Sequence, residues 1–212
     1  MSVIVRHKNI PEISELKNRL YILAVFNIIM LDEDNAWLRI HSKLTDPDGQ
    51  LSIFQIYNGA GDEMFVIFSN DGCIIKGFDH ESFFSPYARD EFHVWDGIYD
   101  EVPQKLLRQL DDPMFEKDDV TFCIWSETDD SEWHKGSIEN SDNDDDGFDF
   151  LIDYLYSSPE DLCKWAQNYF EKAFSQATIK QIYSGVSVDE KIIKEINPER
   201  DAQLALKEIA VL

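Results

Sequence analysis

The sequence predicts an α+β fold, a mainly antiparallel sheet of about five or six strands with helices packed on one face. Three observations carry this. Residues 64–69 and 73–78 are apolar runs of strand length around Asn70-Asp71-Gly72, whose residues supply the positive φ angles of a tight hairpin. Leu162, Trp165, Ala166, Tyr169, Phe170, Ala173 and Phe174 recur at helical spacing and mark one apolar face. With 43% hydrophobic and 13% aromatic residues, the 212-residue chain is globular and long enough to bury a sizeable core.

In chain order, residues 11–31 read as an N-terminal helix. Pro11 and Glu12 open it, and Ile13, Leu16 and Leu20 follow at helical spacing. Its last part is apolar all round, the pattern of a buried end. Residues 37–78 read as a meander, with strands at 37–44 and 51–57 ahead of the hairpin; Asp46-Pro47-Asp48-Gly49 and Asn58-Gly59-Ala60-Gly61 are turns by composition. The aromatic stretch 79–99 forms a loop without helical period. Pro103 starts a short helix carrying Leu106, Leu107 and Leu110, which Asp111-Asp112-Pro113 ends.

A second hairpin spans 120–138, and an acidic loop follows at 139–147. Residues 148–210 hold the C-terminal helices. Ser158-Pro159-Glu160-Asp161 is a helix start with a capping Ser, Pro in the first turn and acids at the positive end. Residues 178–183 fit a return to the sheet, and Ser187-Val188-Asp189-Glu190 has the form of a capping box. No linker marks a boundary, so residues 1–212 read as a single domain.

The formal net charge of −23 argues against nucleic-acid binding through phosphate contacts and against anionic membranes. An acidic field accelerates encounter with a basic partner, or simply keeps a protein in solution. Cys73, Cys123 and Cys163 lie in apolar surroundings and cannot all pair within one chain, so free thiols and a cytoplasmic location are expected. The most apolar run, residues 21–31, is about half a membrane span and lacks a cleavage site for a secretory signal.

Four groups of residues could carry chemistry. Asp142, Asp144, Asp146 and Gly147 match D-x-D-x-D-G, with Asp153 at the twelfth position of a calcium loop. The match is weak: Asp stands for the usual bidentate Glu, Asp149 replaces an apolar residue, and the same acids suit a solvated turn before a helix. Asp79-His80-Glu81-Ser82 places a His and a Ser beside carboxylates, the elements of proton transfer, although a strand-ending turn held by Asp79 and Ser82 explains them equally. His7, His41, His93 and His134 are scattered, and no His/Cys pair has zinc spacing. Phe83, Phe84, Tyr87, Phe92, Trp95 and Tyr99 alternate with acids, a composition for anchoring Lys or Arg or for covering the sheet with buried rings.

The run from Asn58 to Ser82, with Ser85-Pro86, Asp100-Glu101-Val102-Pro103 and Thr121-Phe122-Cys123-Ile124-Trp125, resembles a group of small acidic bacterial cytosolic proteins with no assigned activity. The resemblance covers roughly residues 11–198 and implies architecture rather than mechanism. In size and acidity the chain is also similar to the immunity proteins that neutralise polymorphic toxins. The sequence therefore leads to the expectation of a non-enzymatic immunity or inhibitor protein that occludes a basic protein partner and needs no cofactor. Trp95, Tyr99 and Trp133 would anchor, and Asp129, Asp130, Asp144 and Asp145 would pair with Lys or Arg. The alternative is a small enzyme or ligand-binding domain with a site at Asp79, His80 and Glu81.

Overall fold

Seven strands form one antiparallel sheet: β1 (Val3–Val5), β2 (His41–Leu44), β3 (Ser52–Tyr57), β4 (Glu63–Ser69), β5 (Gly72–Phe78), β6 (Phe122–Glu127) and β7 (Trp133–Lys135). The computed structural model describes residues 2–138 and 145–212. Strands β2 to β7 lie side by side in sequence order, and β1 closes the far edge against β7. The expected hairpin is present as the β4–β5 pair, in register from Glu63↔Phe78 to Ser69↔Gly72. Within its turn only Gly72 has positive φ, and a Cβ there would lie 2.2 Å from the Ser126 carbonyl oxygen. Close approach of β6, more than turn geometry, requires glycine at this position.

Side chains alternate between two buried faces, as the pleat dictates. Phe54, Ile56, Met64, Val66, Phe68, Cys73, Ile75, Phe122 and Ile124 pack beneath Leu16 and Leu20 of α1 (Ile13–Met30) and beneath Leu151 and Ile152 of α3 (Phe148–Ile152). Ile53, Phe65, Ile67, Ile74, Cys123 and Trp125 face the opposite way. Residues 79–121 cover that second face. There Phe84, Ile98, Leu106 of α2 (Gln104–Leu107), Leu110, Phe115 and Val120 complete a separate core. Lys76 points into this layer, fully buried, and donates to the Phe115 carbonyl across 2.7 Å. Helical elements therefore cover both faces rather than one. Unbroken apolar runs in β4 and β5 are the mark of strands buried on both sides.

Beyond α1 lies a further layer: α4 (Pro159–Phe170), α5 (Gln176–Tyr183), α6 (Glu190–Ile196) and α7 (Ala202–Ile209). They enclose Ile22, Leu23, Val25, Phe26, Ile28 and Ile29, so the end of α1 is buried on all sides, as its composition predicts. Burial leaves its last carbonyls without water, and three side chains replace it. Arg200 Nε donates to Ile28 O (3.0 Å), Asn197 Nδ2 to Ile29 O and Met30 O (3.1 and 3.2 Å), and Arg39 Nη2 to Leu31 O (2.6 Å). Glu208 of α7 accepts from both arginines, joining Arg39 at 2.7 Å and Arg200. Within α1, Asn27 donates to His41 Nδ1 (3.1 Å) and accepts from the Ile40 N–H (3.1 Å), while His41 Nε2 donates to Tyr154 O (2.8 Å). This fixes His41 as the neutral Nε2–H tautomer. Its burial pushes the pKa down to about 4, against the opposing pull of the Tyr154 carbonyl.

Several boundaries depart from the sequence reading. The sheet has seven strands, not five or six: the second hairpin is present as β6 and β7, and the three-residue β1 adds an edge strand against β7. Residues 33–38 form a 3-10 turn with Trp37 exposed, and the strand expected from 37 begins only at His41. Residues 178–183 are helical instead of a strand: Ser175 accepts from the Thr178 N–H, and Thr178, Ile179 and Ile182 bury one helical face. Asp189 rather than Ser187 caps α6. The Ser158 cap is present as expected.

Arg200→Leu removes a donor from α1 and leaves Glu208 one partner short, so urea unfolding is expected to show a loss of about 3 kcal/mol. A change below about 0.5 kcal/mol would place the closure of α1 elsewhere. His41 gives a second expectation. The unfolded chain takes its proton near 6.5 and the folded chain only near 4. Stability should therefore fall by about 3 kcal/mol as pH drops through that window, and His41→Gln should flatten this part of the profile.

Candidate functional site

The strand registers bring three turns to one end of the sheet. Residues 58–62 precede β4, residues 79–82 follow β5, and Asp145, Asp146 and Gly147 lead into α3. Asn58 closes the first turn, accepting from the Ala60 and Asp62 N–H groups and donating from Nδ2 to Asp62 Oδ2 at 2.6 Å. Asp62 is consequently buried with its other oxygen turned to the second segment. Asp62 Oδ1 accepts from the backbone N–H of His80 (3.0 Å) and lies 2.6 Å from His80 Nδ1. The imidazole is 44% exposed, leaving Nε2 at the surface, 4.0 Å from Glu81 Oε1.

Asp79 completes the group. Its Oδ1 accepts from the Glu81 N–H (2.9 Å), and its own N–H donates to Thr121 Oγ1 (3.2 Å). Gly147, at φ +79°, backs onto the carboxylate so closely that a Cβ would lie 2.3 Å from Asp79 Cβ. Asp62, Asp79 and His80 each offer one donor atom within 4.8 Å of the others. Ser82 is not part of the arrangement: its hydroxyl donates to Asp145 O (2.8 Å) and accepts from the Phe84 N–H, which makes it a turn residue.

The charges are coupled. The hydrogen bond that His80 donates to Asp62 raises the His80 pKa above its ordinary value. Desolvation pushes Asp62 upward, but the bonds from His80 and Asn58 outweigh it and the net shift is downward. Burial raises Asp79, and the carboxylates of Asp62 and Asp145 add to that rise against the Glu81 N–H. Asp62 is the member that local reading misses. It stands 17 and 18 positions before Asp79 and His80, and its only sequence signal is the Asn58 turn.

The residues expected to bind a partner are dispersed. Asp129 and Asp130 are exposed and line a cleft of about 610 Å³ with Glu12, Asn70 and Trp133. Asp130 is already held by His134 Nε2 (2.7 Å), and Trp133 is buried, its indole donating to Pro11 O. Tyr99 donates its hydroxyl to Lys117 O (2.6 Å), and Trp95 is partly buried with the Arg89 guanidinium 3.3 Å above its ring. None of the three large aromatics stands free as an anchor. Phe83, Tyr87 and Phe92 do, at 55, 60 and 52% exposure. Tyr87 stacks edge-on with Phe78 and Phe92 and donates to Asp119, so the exposed rings sit on a fixed base.

Of the weak calcium-loop match, Asp142 and Asp144 lie outside the described residues. Asp146 pairs with Lys135, and Asp153 accepts from Asn9 Nδ2 at 2.7 Å. Asp145 is exposed, with Oδ1 taking the Gly147 N–H.

Negative charge is unevenly spread. Residues 79–147, the covering layer and the second hairpin, carry 21 acids against five Lys and Arg, so −16 of the −23 falls there. Among the described residues no helix is long and apolar enough to cross a membrane. Comparison of the chain with protein-family models, with curated proteins and with solved structures finds no match.

The Asp62–His80 pair has a measurable sign. Because the folded pKa of His80 is raised, its contribution to stability is complete below the unfolded value near 6.5 and disappears as pH rises through the folded value. An NMR titration of the His80 ring should place its midpoint above 6.5, and Asp62→Asn should bring it down. An unchanged midpoint in that variant would dissolve the pair.

Proposed function

We propose that this chain is a non-enzymatic acidic binding protein, an immunity or inhibitor protein that blocks a basic protein partner by occlusion. The observation carrying this reading is that exposed carboxylates and exposed rings share one layer, residues 79–121, whose own net charge is −8. Asp90, Glu91 and Asp96 are exposed in the same segment as Phe83, Tyr87 and Phe92. Such a surface divides the work of binding. Carboxylates at the rim steer a cationic partner from a distance and fix its orientation, and aromatic rings give a desolvated centre where most of the affinity resides. Because the layer is spread over a whole face of the sheet, the partner's own basic site would be covered without any chemical step.

Affinity capture from the source organism's lysate, washed with rising salt, is expected to retain one basic protein in stoichiometric amount and release it as the field is screened. No basic protein at any salt would end the proposal. Once that partner is in hand, the triple reversal Asp90→Lys, Glu91→Lys and Asp96→Lys should slow association more than tenfold and flatten its salt dependence. Tyr87→Ala and Phe92→Ala should instead act on dissociation, by about 2 kcal/mol each.

A further inference from the structure

We infer that Asp62, Asp79 and His80 hold a divalent transition-metal cation of the zinc class at the end of β4 and β5. The donors are one imidazole nitrogen and two carboxylates, already within 4.8 Å of one another and drawn from two separate segments. Small side-chain rotations bring such atoms to the roughly 2.0–2.2 Å at which zinc takes nitrogen and carboxylate oxygen. Two of the three are prepared for the role. Asp62 is buried and oriented by Asn58 at 2.6 Å, the kind of outer partner that positions a ligating carboxylate. Asp79 is only partly exposed, and its Oδ2 takes no hydrogen bond among the described residues.

Gly147 forms the floor beneath Asp79. Charge points the same way. Asp79 and Asp62 repel each other when ionised, and Asp145 adds to the repulsion. In the structure a proton between His80 Nδ1 and Asp62 Oδ1, 2.6 Å apart, offsets part of this. A metal ion takes that proton's place between the two and draws in Asp79 as its third ligand. The nitrogen donor selects against calcium and magnesium, which favour all-oxygen shells. The site is independent of the basic-partner reading and would stand if that reading failed.

The test is isothermal titration of the full chain, freed of metal by chelation, with zinc, magnesium and calcium chlorides. Expected is one zinc ion per chain, a zinc-dependent rise in the melting midpoint, and at least tenfold weaker magnesium and calcium binding. Asp79→Asn and His80→Gln both lie outside the strand ladders, so circular dichroism should match the parent while zinc affinity falls at least tenfold in each. Absence of saturable zinc binding, zinc affinity in both variants equal to the parent's, or calcium bound as tightly as zinc would overturn the assignment.

Discussion

The C-terminal end of α1 is where the layers of this protein are tied together. A helix that ends inside a core strands its final carbonyls, and each must find a donor or cost free energy. Here Arg200, Asn197 and Arg39 supply the donors, and the two arginines also bring positive charge to the negative end of the helix dipole. Glu208 then gathers both guanidinium groups. One cluster thus fixes α7, the approach to β2 and the central helix relative to one another. The sheet inherits that fixation through Asn27 and His41, which link α1 to an edge strand.

Much of the fold could be read from the sequence because its strongest signals are local. Asn70, Asp71 and Gly72 between two apolar runs, and Ser158-Pro159 before a periodic face, state a hairpin and a helix without help from tertiary contacts. The readings that failed depended on partners distant in sequence. Val3–Val5 is β-branched but too short to read as a strand until Trp133–Lys135 lies beside it. Thr178, Ile179 and Ile182 suit a strand by residue type but helix by spacing, and the apolar surface of α1 favours the helix. The aromatic stretch covers the sheet with buried rings, one of the two uses its composition allows, and the unbroken apolar runs of β4 and β5 match that two-sided burial.

The candidate site divides along the same line. Asp79, His80 and Glu81 stand out as a local polar cluster, yet only the pairing of β4 with β5 brings Asp62 into contact with His80, while Glu81 stays at the outer edge, 4.0 Å from His80 Nε2. On the covering layer, residue type could not distinguish buried rings from exposed ones. Trp95, Tyr99 and Trp133 are held within the fold, whereas Phe83, Tyr87 and Phe92 lie at the surface, and Tyr99 and Tyr87 are the same residue type. Acidity shows a similar segregation. The helical layer, residues 159–209, keeps a near balance of charges, and the excess is divided equally between the covering layer, residues 79–121, and residues 122–147.

The covering layer leaves the sheet after Phe78 and returns at Phe122, where β5 and β6 are direct antiparallel neighbours with Gly77 opposite Phe122. A ladder of that kind can be closed by a turn of a few residues. Residues 79–121 are thus an insert with adjoining ends, and loop length at such a place has only a slow, logarithmic cost in chain entropy. Its exposed residues can change in number, charge and shape while the register of the strands beneath stays the same. The molecule thereby separates holding seven strands and a buried helix in place from presenting a surface.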